Sequence, residues 1–364
     1  MLIKFIICSV LLFNLLAVVT NTNADISTKN DTSEHNNNAV ILLYHHVSND
    51  TPKITSVSPE IFEQQLDYIE QNNFSVWPLE KIIDHINNGM HLPKKTLAIS
   101  FDDAYESIYT EAYPRLKARN MPFTIFVTTE SVDRQYNQQL DWQSLNTMQK
   151  NGASLANHTV THPHMLYHLA DETDQQWQQR MKHEVIAAQQ RLEEKTASRL
   201  KLFAYPYGEH NKALKNIIRD LGFIGFGQQS GALDSNTDLQ SIPRFPIAGN
   251  YIKMDDFGLK INTLAMPATD ISQQDNPLKH EEEKPLLKLA FQHAVDKNKL
   301  QCFGTGQGKL TIEWDGLTAM VKPQKSIPVG RSRYNCTLAH ADGRYHWFSK
   351  PWIRLKANDE WILD

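Results

Sequence analysis

Short apolar runs alternate with amphipathic segments along the first two thirds of the chain. The runs are rich in Val, Ile, Leu and Phe, which is typical of strands buried on both faces of a sheet. They predict strands at residues 39–47, 96–103, 122–129, 153–159, 200–208 and 222–228. Between the strands, apolar residues recur at helical spacing and predict helices at residues 58–73, 106–120, 141–152, 171–196 and 211–221.

Repeated strand–helix units of this kind indicate an α/β fold with a parallel sheet covered by helices. About seven such units would form a closed or nearly closed (β/α) barrel, in which chemistry takes place at the C-terminal ends of the strands. An open doubly wound sheet is the alternative, but no glycine-rich phosphate loop follows the first strand. The pattern therefore favours the barrel.

The pattern changes near residue 267. Residues 267–285 are polar, with three prolines and an acidic run, and predict a linker. Beyond it, short apolar runs alternate with turns, so we expect residues 286–364 to form a small C-terminal β-rich domain. Its aromatic residues either fill the core of this domain or stack on sugar rings; they include Trp314, Tyr345, Trp347 and Trp352.

The N-terminus has the layout of a secretory signal peptide, residues 1–24. One lysine precedes a continuous apolar stretch from Phe5 to Val19, and small or polar residues follow up to Ala24. Cleavage there would leave residues 25–38 as a polar, flexible leader and no membrane span. An uncleaved anchor is the alternative, but the stretch is shorter than the roughly 20 residues that a span needs. We therefore predict an exported protein, periplasmic or secreted.

Export bears on the two cysteines outside this segment, Cys302 and Cys336. In an exported protein such a pair is expected to form a disulfide, and two free thiols or a metal site are the alternatives. The formal net charge is −4, and lysine and arginine are scattered. This distribution argues against nucleic acid as a partner, and nothing in the sequence indicates an oligomeric state.

Carboxylates and imidazoles gather at two predicted strand ends. Asp102 and Asp103 are adjacent at the end of one strand, where two carboxylates are costly unless a cation or hydrogen-bond donors meet them. Capping of the next helix is the alternative. His158 and His162 follow another strand, and Pro163 biases His162 away from helical geometry. Two imidazoles and a carboxylate, with positions left for water and substrate, suit catalytic zinc; a chance cluster of surface histidines is the alternative.

A third strand leads into Pro206-Tyr207-Gly208, which favours a sharp turn. The backbone N–H of Tyr207 is there a candidate donor to an oxyanion. Trp142 is a candidate wall for a sugar ring or an acetyl methyl group, with packing in the core as the alternative.

Taken in order, Ser-Phe-Asp-Asp at 100–103, Asn-His-Thr-Val-Thr-His at 157–162 and Ala-Tyr-Pro-Tyr-Gly at 204–208 resemble the polysaccharide deacetylases of carbohydrate esterase family four, the NodB-homology domain. The resemblance covers roughly residues 39–265. It implies that residues 39–266 form a distorted (β/α) barrel of the polysaccharide deacetylase type. It also implies metal-dependent removal of acetyl groups from a polysaccharide or oligosaccharide that contains N-acetylglucosamine.

The resemblance also implies roles for individual residues. Asp103, His158 and His162 would bind a divalent metal, usually zinc. Asp102 would be the general base that activates water, and the backbone N–H of Tyr207 would hold the oxyanion. Tyr207 would also line the substrate site, for which we add Trp142 as a further candidate.

Two features of the family pattern are missing. In many members an arginine precedes the Pro-Tyr pair and tethers the base, whereas Ala204 and Tyr205 stand here. Arg244 is a candidate to supply that charge from another strand, and an arginine paired at the surface is the alternative. The late Leu-x-His motif that usually supplies the general acid is absent between residues 211 and 265.

Tyr44-His45 offers a replacement for that acid at the end of the first strand. A circularly permuted subset of the family, typified by deacetylases of poly-N-acetylglucosamine, carries such a Tyr-His motif there. By this resemblance we predict that His45 is the general acid, with a purely structural role for His45 as the alternative. Because neighbours in a strand point to opposite faces, we expect His46 to be structural.

Two other functions remain open. An esterase that removes O-acetyl groups from xylan-type polymers would use the same metal site. A glycan-binding protein with weak or no turnover would be consistent with the two missing features. Release of acetate from N-acetyl and from O-acetyl substrates distinguishes the three.

Overall fold

The computed structural model describes residues 37–362, so the predicted signal peptide and nearly all of the predicted leader lie outside the described residues. A region of helices and mainly parallel strands comes first. Its strands are β1 Ala39–Tyr44, β2 His46–Val47, β3 Ser56–Val57, β4 Ser75–Val76, β5 Thr96–Asp102, β6 Phe123–Val127, β7 Ala153–Asn157, β8 Leu202–Ala204, β9 Ile224–Phe226, β10 Ala232–Leu233 and β11 Phe245–Pro246.

The helices of this region cover the sheet. A π-helical turn, Ile108–Ala112, leads into the third of them. They are α1 Pro59–Gln71, α2 Leu79–Asn87, α3 Tyr113–Ala118, α4 Thr129–Asp133, α5 Trp142–Gln149, α6 Asp174–Lys195, α7 Lys212–Asp220 and α8 Met254–Ile261. In α1 the predicted start is confirmed: the Ser58 side chain accepts a hydrogen bond from Ile61 N–H, and Pro59 opens the helix.

Six parallel strands form the central row of a nine-stranded sheet, in the order β1, β5, β6, β7, β8, β9, and β4, β10 and β11 pair alongside this row. The strands of the row correspond to the six predicted strands, with ends that differ by a few residues. Every residue of β1, β5 and β6 is buried, which explains their unbroken apolar character. The parallel arrangement brings the C-terminal ends of these strands to one edge of the sheet.

An extended segment, residues 242–246, nearly closes this sheet into a barrel. Ile242 forms a parallel bridge with Phe226 at the end of β9. Three residues later β11 pairs in parallel with β1, the first strand of the row. The segment therefore contacts both ends of the sheet, and Arg244 lies between these two contacts.

The prediction of one continuous strand over residues 39–47 is wrong at its end. β1 stops at Tyr44, His45 stands in a bend, and β2 pairs with β3 instead of continuing in the sheet. The Tyr44 hydroxyl donates to Gln65 Oε1 of α1 at 2.9 Å, which fixes the end of β1. The two histidines therefore point apart because of the bend and not because of strand alternation.

The second region consists of strands in two sheets, of orders β12-β20-β19-β15-β16 and β13-β14-β18-β17. Cys302 of β15 lies opposite Cys336 of β19, and the predicted disulfide joins them. The strands are β12 Leu264–Ala265, β13 Ala268–Asp270, β14 Leu287–Phe291, β15 Leu300–Gly304, β16 Gly308–Lys309, β17 Thr311–Asp315, β18 Thr318–Lys322, β19 Gly330–Ala339 and β20 Tyr345–Arg354.

The residues predicted as a linker, 267–285, include β13, which pairs with β14. Part of this segment therefore belongs to a sheet, and the predicted domain boundaries stay predictions. Within residues 37–362, no helix combines the length and the apolar character needed to cross a membrane.

Candidate active site

Asp102 is the last residue of β5, and the structure brings Arg244 directly against it. Arg244 Nη1 and Nη2 donate to the two carboxylate oxygens at 2.7 and 2.8 Å. Both side chains are 0% exposed. Arg244 Nε donates to the backbone oxygen of Gly227 at 2.8 Å, so the guanidinium is itself held in place. This two-bond geometry fixes the plane of the carboxylate as well as its charge.

The pKa of Asp102 lies below its ordinary value. Burial opposes ionisation, but the positive charge of Arg244 and the neighbouring His158 outweigh it. A carboxylate kept ionised and oriented in this way is ready to accept a proton.

Asp103 faces two imidazoles. Its Oδ1 lies 3.3 Å from His158 Nε2 and 3.4 Å from His162 Nε2. Ligand atoms of the three residues all lie within 4.8 Å of one another. One carboxylate and two imidazoles with open positions form the donor set of a catalytic metal site, so the three predicted ligands are brought together.

The imidazole of His158 is oriented for a metal. Its Nδ1–H donates to the Ala204 backbone oxygen at 2.8 Å, which directs Nε2 towards Asp103. His158 Nε2 is buried and forms no hydrogen bond with the described residues. A buried imidazole nitrogen that faces a carboxylate oxygen at 3.3 Å without a hydrogen bond between them is arranged as two ligands of one ion would be, and the residues present therefore fit a divalent metal.

The pKa values of the two imidazoles move in opposite directions. Burial lowers the pKa of His158, but the charges of Asp102 and Asp103 outweigh it and the net direction is upward. For His162, burial dominates and lowers the pKa to about 4. Burial opposes ionisation of Asp103, yet both imidazoles hold the pKa of Asp103 below its ordinary value.

His45 lies at the rim of this group. Its Nε2 is 4.0 Å from Asp103 Oδ2. His46 points elsewhere and stacks on the ring of Tyr105, with ring centres 3.7 Å apart. Burial, followed by the neighbouring His45, lowers the pKa of His46 to about 4. The structure therefore places His45 near the candidate ligands and gives His46 a packing contact.

Tyr207 has a left-handed backbone conformation, with φ 57°. Its ring stacks on His164, with centres 4.0 Å apart and planes 6° from parallel, and contacts His162 edge to face. Burial and then the nearby Glu209 raise the pKa of its hydroxyl. The turn thus brings Tyr207 next to His162, one of the two imidazoles of the candidate metal site, and next to His164.

Several residues around the site have a strained backbone. Left-handed φ angles occur at Asp103, Ala104, Thr159, His162 and Tyr207. Each costs on the order of 1–3 kcal/mol and persists only where surrounding contacts enforce it. The loops after β5, β7 and β8 are therefore held in conformations that serve the site at the expense of local stability.

Trp142 is not brought to this group by any contact among the described residues. Its indole N–H donates to Asp133 at 2.8 Å, and its ring packs against the main core. In the C-terminal strands, Trp352 is fully buried against Tyr334, which assigns it to the core. The ring of Trp347 packs edge to face on the ring of Phe245, with ring centres 5.4 Å apart, and so joins the two regions.

Sequence reasoning missed three residues beside the site. Tyr105 covers His46, and Ser100 receives a hydrogen bond from Arg244 at 3.3 Å. Glu209 is 3% exposed and accepts from His164 Nδ1 at 3.1 Å. Glu209 stands two residues after Tyr207. Its ion pair depends on His164 of another loop, and the sequence carries no signal for that pairing.

Comparisons with known proteins agree with this geometry. The polysaccharide deacetylase family model matches residues 89–225. The poly-β-1,6-N-acetyl-D-glucosamine N-deacetylase of Staphylococcus aureus (strain MSSA476) is 28% identical over 272 residues, which cover 67% of this chain and 92% of that protein. The protein of the same name from Escherichia coli (strain K12) is 24% identical over 265 residues, or 63% of this chain. The match spans only 39% of the length of that relative.

Among solved structures, the Streptococcus pyogenes deacetylase PplD in complex with acetate superposes with a TM-score of 0.55. It is 23% identical, and the match covers 62% of this chain and 98% of that one. The fold is therefore the distorted barrel of the polysaccharide deacetylases, followed by additional β-rich sheets. The resemblance on the three sequence motifs is confirmed.

Proposed function

We propose that this chain, which contains a polysaccharide deacetylase domain, is a metal-dependent hydrolase that removes acetyl groups from N-acetylglucosamine units of a glycan. One observation carries the proposal: Asp103, His158 and His162 converge beside an oriented, ionised Asp102 at the C-terminal edge of the sheet. The names of the relatives support a poly-β-1,6-linked substrate.

The metal would be held by Asp103, His158 and His162, and this donor set suits zinc. When bound, a divalent ion would polarise the amide carbonyl and acidify a water molecule. The fold supports this set, because the end of β5, the end of β7 and the loop after β7 bring the three side chains to one edge.

The residues of this chain would divide the proton transfers between them. Asp102, oriented by Arg244, accepts the proton of the attacking water. The backbone N–H of Tyr207 donates to the oxyanion that develops on the amide oxygen. His45, at the rim, protonates the departing amine. The products are acetate and a free amino sugar unit.

We place this activity outside the cytoplasm, in the periplasm or the medium. The predicted signal peptide and the disulfide between Cys302 and Cys336 support this location, because disulfides persist in oxidising compartments.

The decisive experiment measures acetate release from β-1,6- and β-1,4-linked N-acetylglucosamine oligomers. We expect release that a chelator abolishes and added Zn²⁺ restores. His162→Ala should lose bound zinc and, with it, at least about 100-fold in activity. The exposed His293 provides a matched control, His293→Ala, which should keep normal activity. Release only from O-acetylated xylan would favour the esterase, and glycan affinity without any release would favour a binding protein.

His45→Ala tests the general acid separately. We expect bound zinc to be unchanged and turnover on the amide substrate to fall by about 10²- to 10⁴-fold, as for loss of a general acid. Zinc content and kcat are measured on the same preparation. Near-normal turnover in this variant would remove His45 from the mechanism.

A further inference from the structure

The Pro206-Tyr207-Gly208 turn is anchored by contacts that the proposed reaction does not require. Gly208 has φ 70°, and a Cβ atom there would lie 2.7 Å from Gln228 Cβ and 2.9 Å from its backbone nitrogen. Only glycine fits at that point. The turn is therefore pressed against the chain after β9. On its other side lie the ring of Tyr207 and Glu209, the residue that follows the turn.

Glu209 connects this turn to the loop that carries a candidate metal ligand. Its carboxylate oxygens lie 3.1 and 3.2 Å from His164 Nδ1. His164 stands two residues after His162, and its ring stacks on Tyr207. The contact between Glu209 and His164 thus ties the loop after β7 to the loop after β8.

A third element reaches the same point from the C-terminal β-rich region. Arg331, near the start of β19, places Cζ 5.2 Å from the centre of the Tyr207 ring. Its Nη1 lies 3.5 Å from Glu209 Oε1. One guanidinium therefore contacts the middle residue of the turn, through an attraction to the ring face, and the residue after the turn, through a charge-assisted contact with the carboxylate.

We propose that Arg331, acting through Glu209 and His164, is a positioning residue that holds the Tyr207 backbone in its left-handed conformation. This inference rests on the proposed function, since that conformation matters through the oxyanion donor at Tyr207 N–H. The C-terminal strands then contribute to the proposed site, because Arg331 of β19 places its guanidinium against the turn that follows β8.

Arg331 can be replaced without unpacking a core. Its side chain is 40% exposed, and it borders a cavity of about 280 Å³ that Glu209 and Trp361 also line. The matched control is Arg333→Ala, because Arg333 lies two residues further on the same strand and the same face. The backbone of Arg333 forms hydrogen bonds with Thr305, and the substitution leaves these hydrogen bonds in place.

The first readout is amide hydrogen exchange in peptides that cover residues 205–210. We expect Arg331→Ala to raise exchange there by roughly 3- to 10-fold over both wild type and Arg333→Ala, because opening of the turn becomes easier. Arg331→Lys keeps a cation near the ring and should restore most of the protection. Exchange in Arg331→Ala equal to that in Arg333→Ala would overturn the positioning role, whatever the activity.

The second readout is kinetic. We expect Arg331→Ala to lower kcat by roughly 10-fold with KM and bound zinc unchanged, since a misplaced donor affects the transition state and not substrate or metal binding. A fall in bound zinc, or a change in KM alone, would also contradict the proposal. Absence of acetate release from the wild type, with the exchange effect present, would refute the proposed function and leave the positioning role standing.

Discussion

At the scale of the residue, the pairing of Asp102 with Arg244 dominates the site. Burying two charges costs several kcal/mol per ion, and their attraction repays this only when the geometry is good and the remaining donors are satisfied. Here Arg244 uses three of its nitrogens, for Asp102, Ser100 and Gly227. Such a pair is poor evidence for stability but fixes the position and ionisation of one carboxylate.

Arg244→Met should therefore have a double effect. Asp102 would be left buried without its partner, so we expect the free energy of unfolding to fall by about 3–5 kcal/mol. Acetate release should fall by at least about 100-fold, because the base loses its orientation. Denaturant unfolding and kcat on the same preparation measure the two effects.

Arg244→Lys serves as the control for charge. It keeps the positive charge but not the planar fork, so it should recover stability in part and activity poorly. Wild-type kcat in Arg244→Met would contradict the role of Arg244 as the tether of the base.

At the scale of the element, the disulfide joins two neighbouring strands. Cys302 and Cys336 are directly opposite in β15 and β19, 34 residues apart in the chain, and both are fully buried. The bond therefore closes a loop that contains β16, β17 and β18, which include two of the four strands of the second sheet.

Replacement of both residues, Cys302→Ser with Cys336→Ser, should lower the free energy of unfolding by about 3–4 kcal/mol on the chain-entropy account. Denaturant unfolding with and without a reducing agent measures this contribution of the disulfide. The reductant should lower the free energy of unfolding of the wild type and leave that of the double variant unchanged. Equal stability of the two proteins in the absence of reductant would show that the bond adds nothing.

At the scale of the whole molecule, His210 lies where the barrel meets the C-terminal strands. It lines a cavity of about 370 Å³ together with Trp347 and Lys350. Burial, and then the charges of Lys215 and Lys350, lower its pKa to about 3, although the Gly208 backbone oxygen and Asp238 act in the opposite direction.

This pKa makes stability depend on pH in a defined window. An unfolded histidine titrates near pH 6.5, so between pH 6.5 and about 3 the unfolded state binds a proton that folded His210 does not. Stability is lost as the pH falls through this window, by at most about 1.4 kcal/mol per pH unit for this one group.

His210→Gln should remove that contribution. We expect the free energy of unfolding to fall less steeply between pH 6.5 and 4.5 than in the wild type, whatever the change at pH 7. Denaturant unfolding at several pH values gives both slopes. Parallel slopes would mean that His210 titrates normally in the folded protein.

The sequence by itself determined the six strands of the central parallel row, apart from their exact ends, and the candidate metal ligands. Apolar runs buried on both faces are a local signal, and so are the carboxylates and imidazoles that follow them. Because parallel strands end at one edge, Asp103 and His158 needed no further information to be placed together. Helix α2 was missed although Leu79, Ile82, Ile83 and Ile86 have helical spacing and are buried.

Only the tertiary structure decided what surrounds that metal group. Arg244 meets Asp102 across 142 residues, because the segment 242–246 lies between β9 and β1. Arg331 meets Glu209 across 122 residues, through the placement of β19 against the barrel. Such contacts depend on how the sheets close and pack, and no local periodicity or motif encodes them. Local chemistry thus indicated the candidate ligands, while long-range packing determined which residues lie against Asp102 and against the turn at Tyr207.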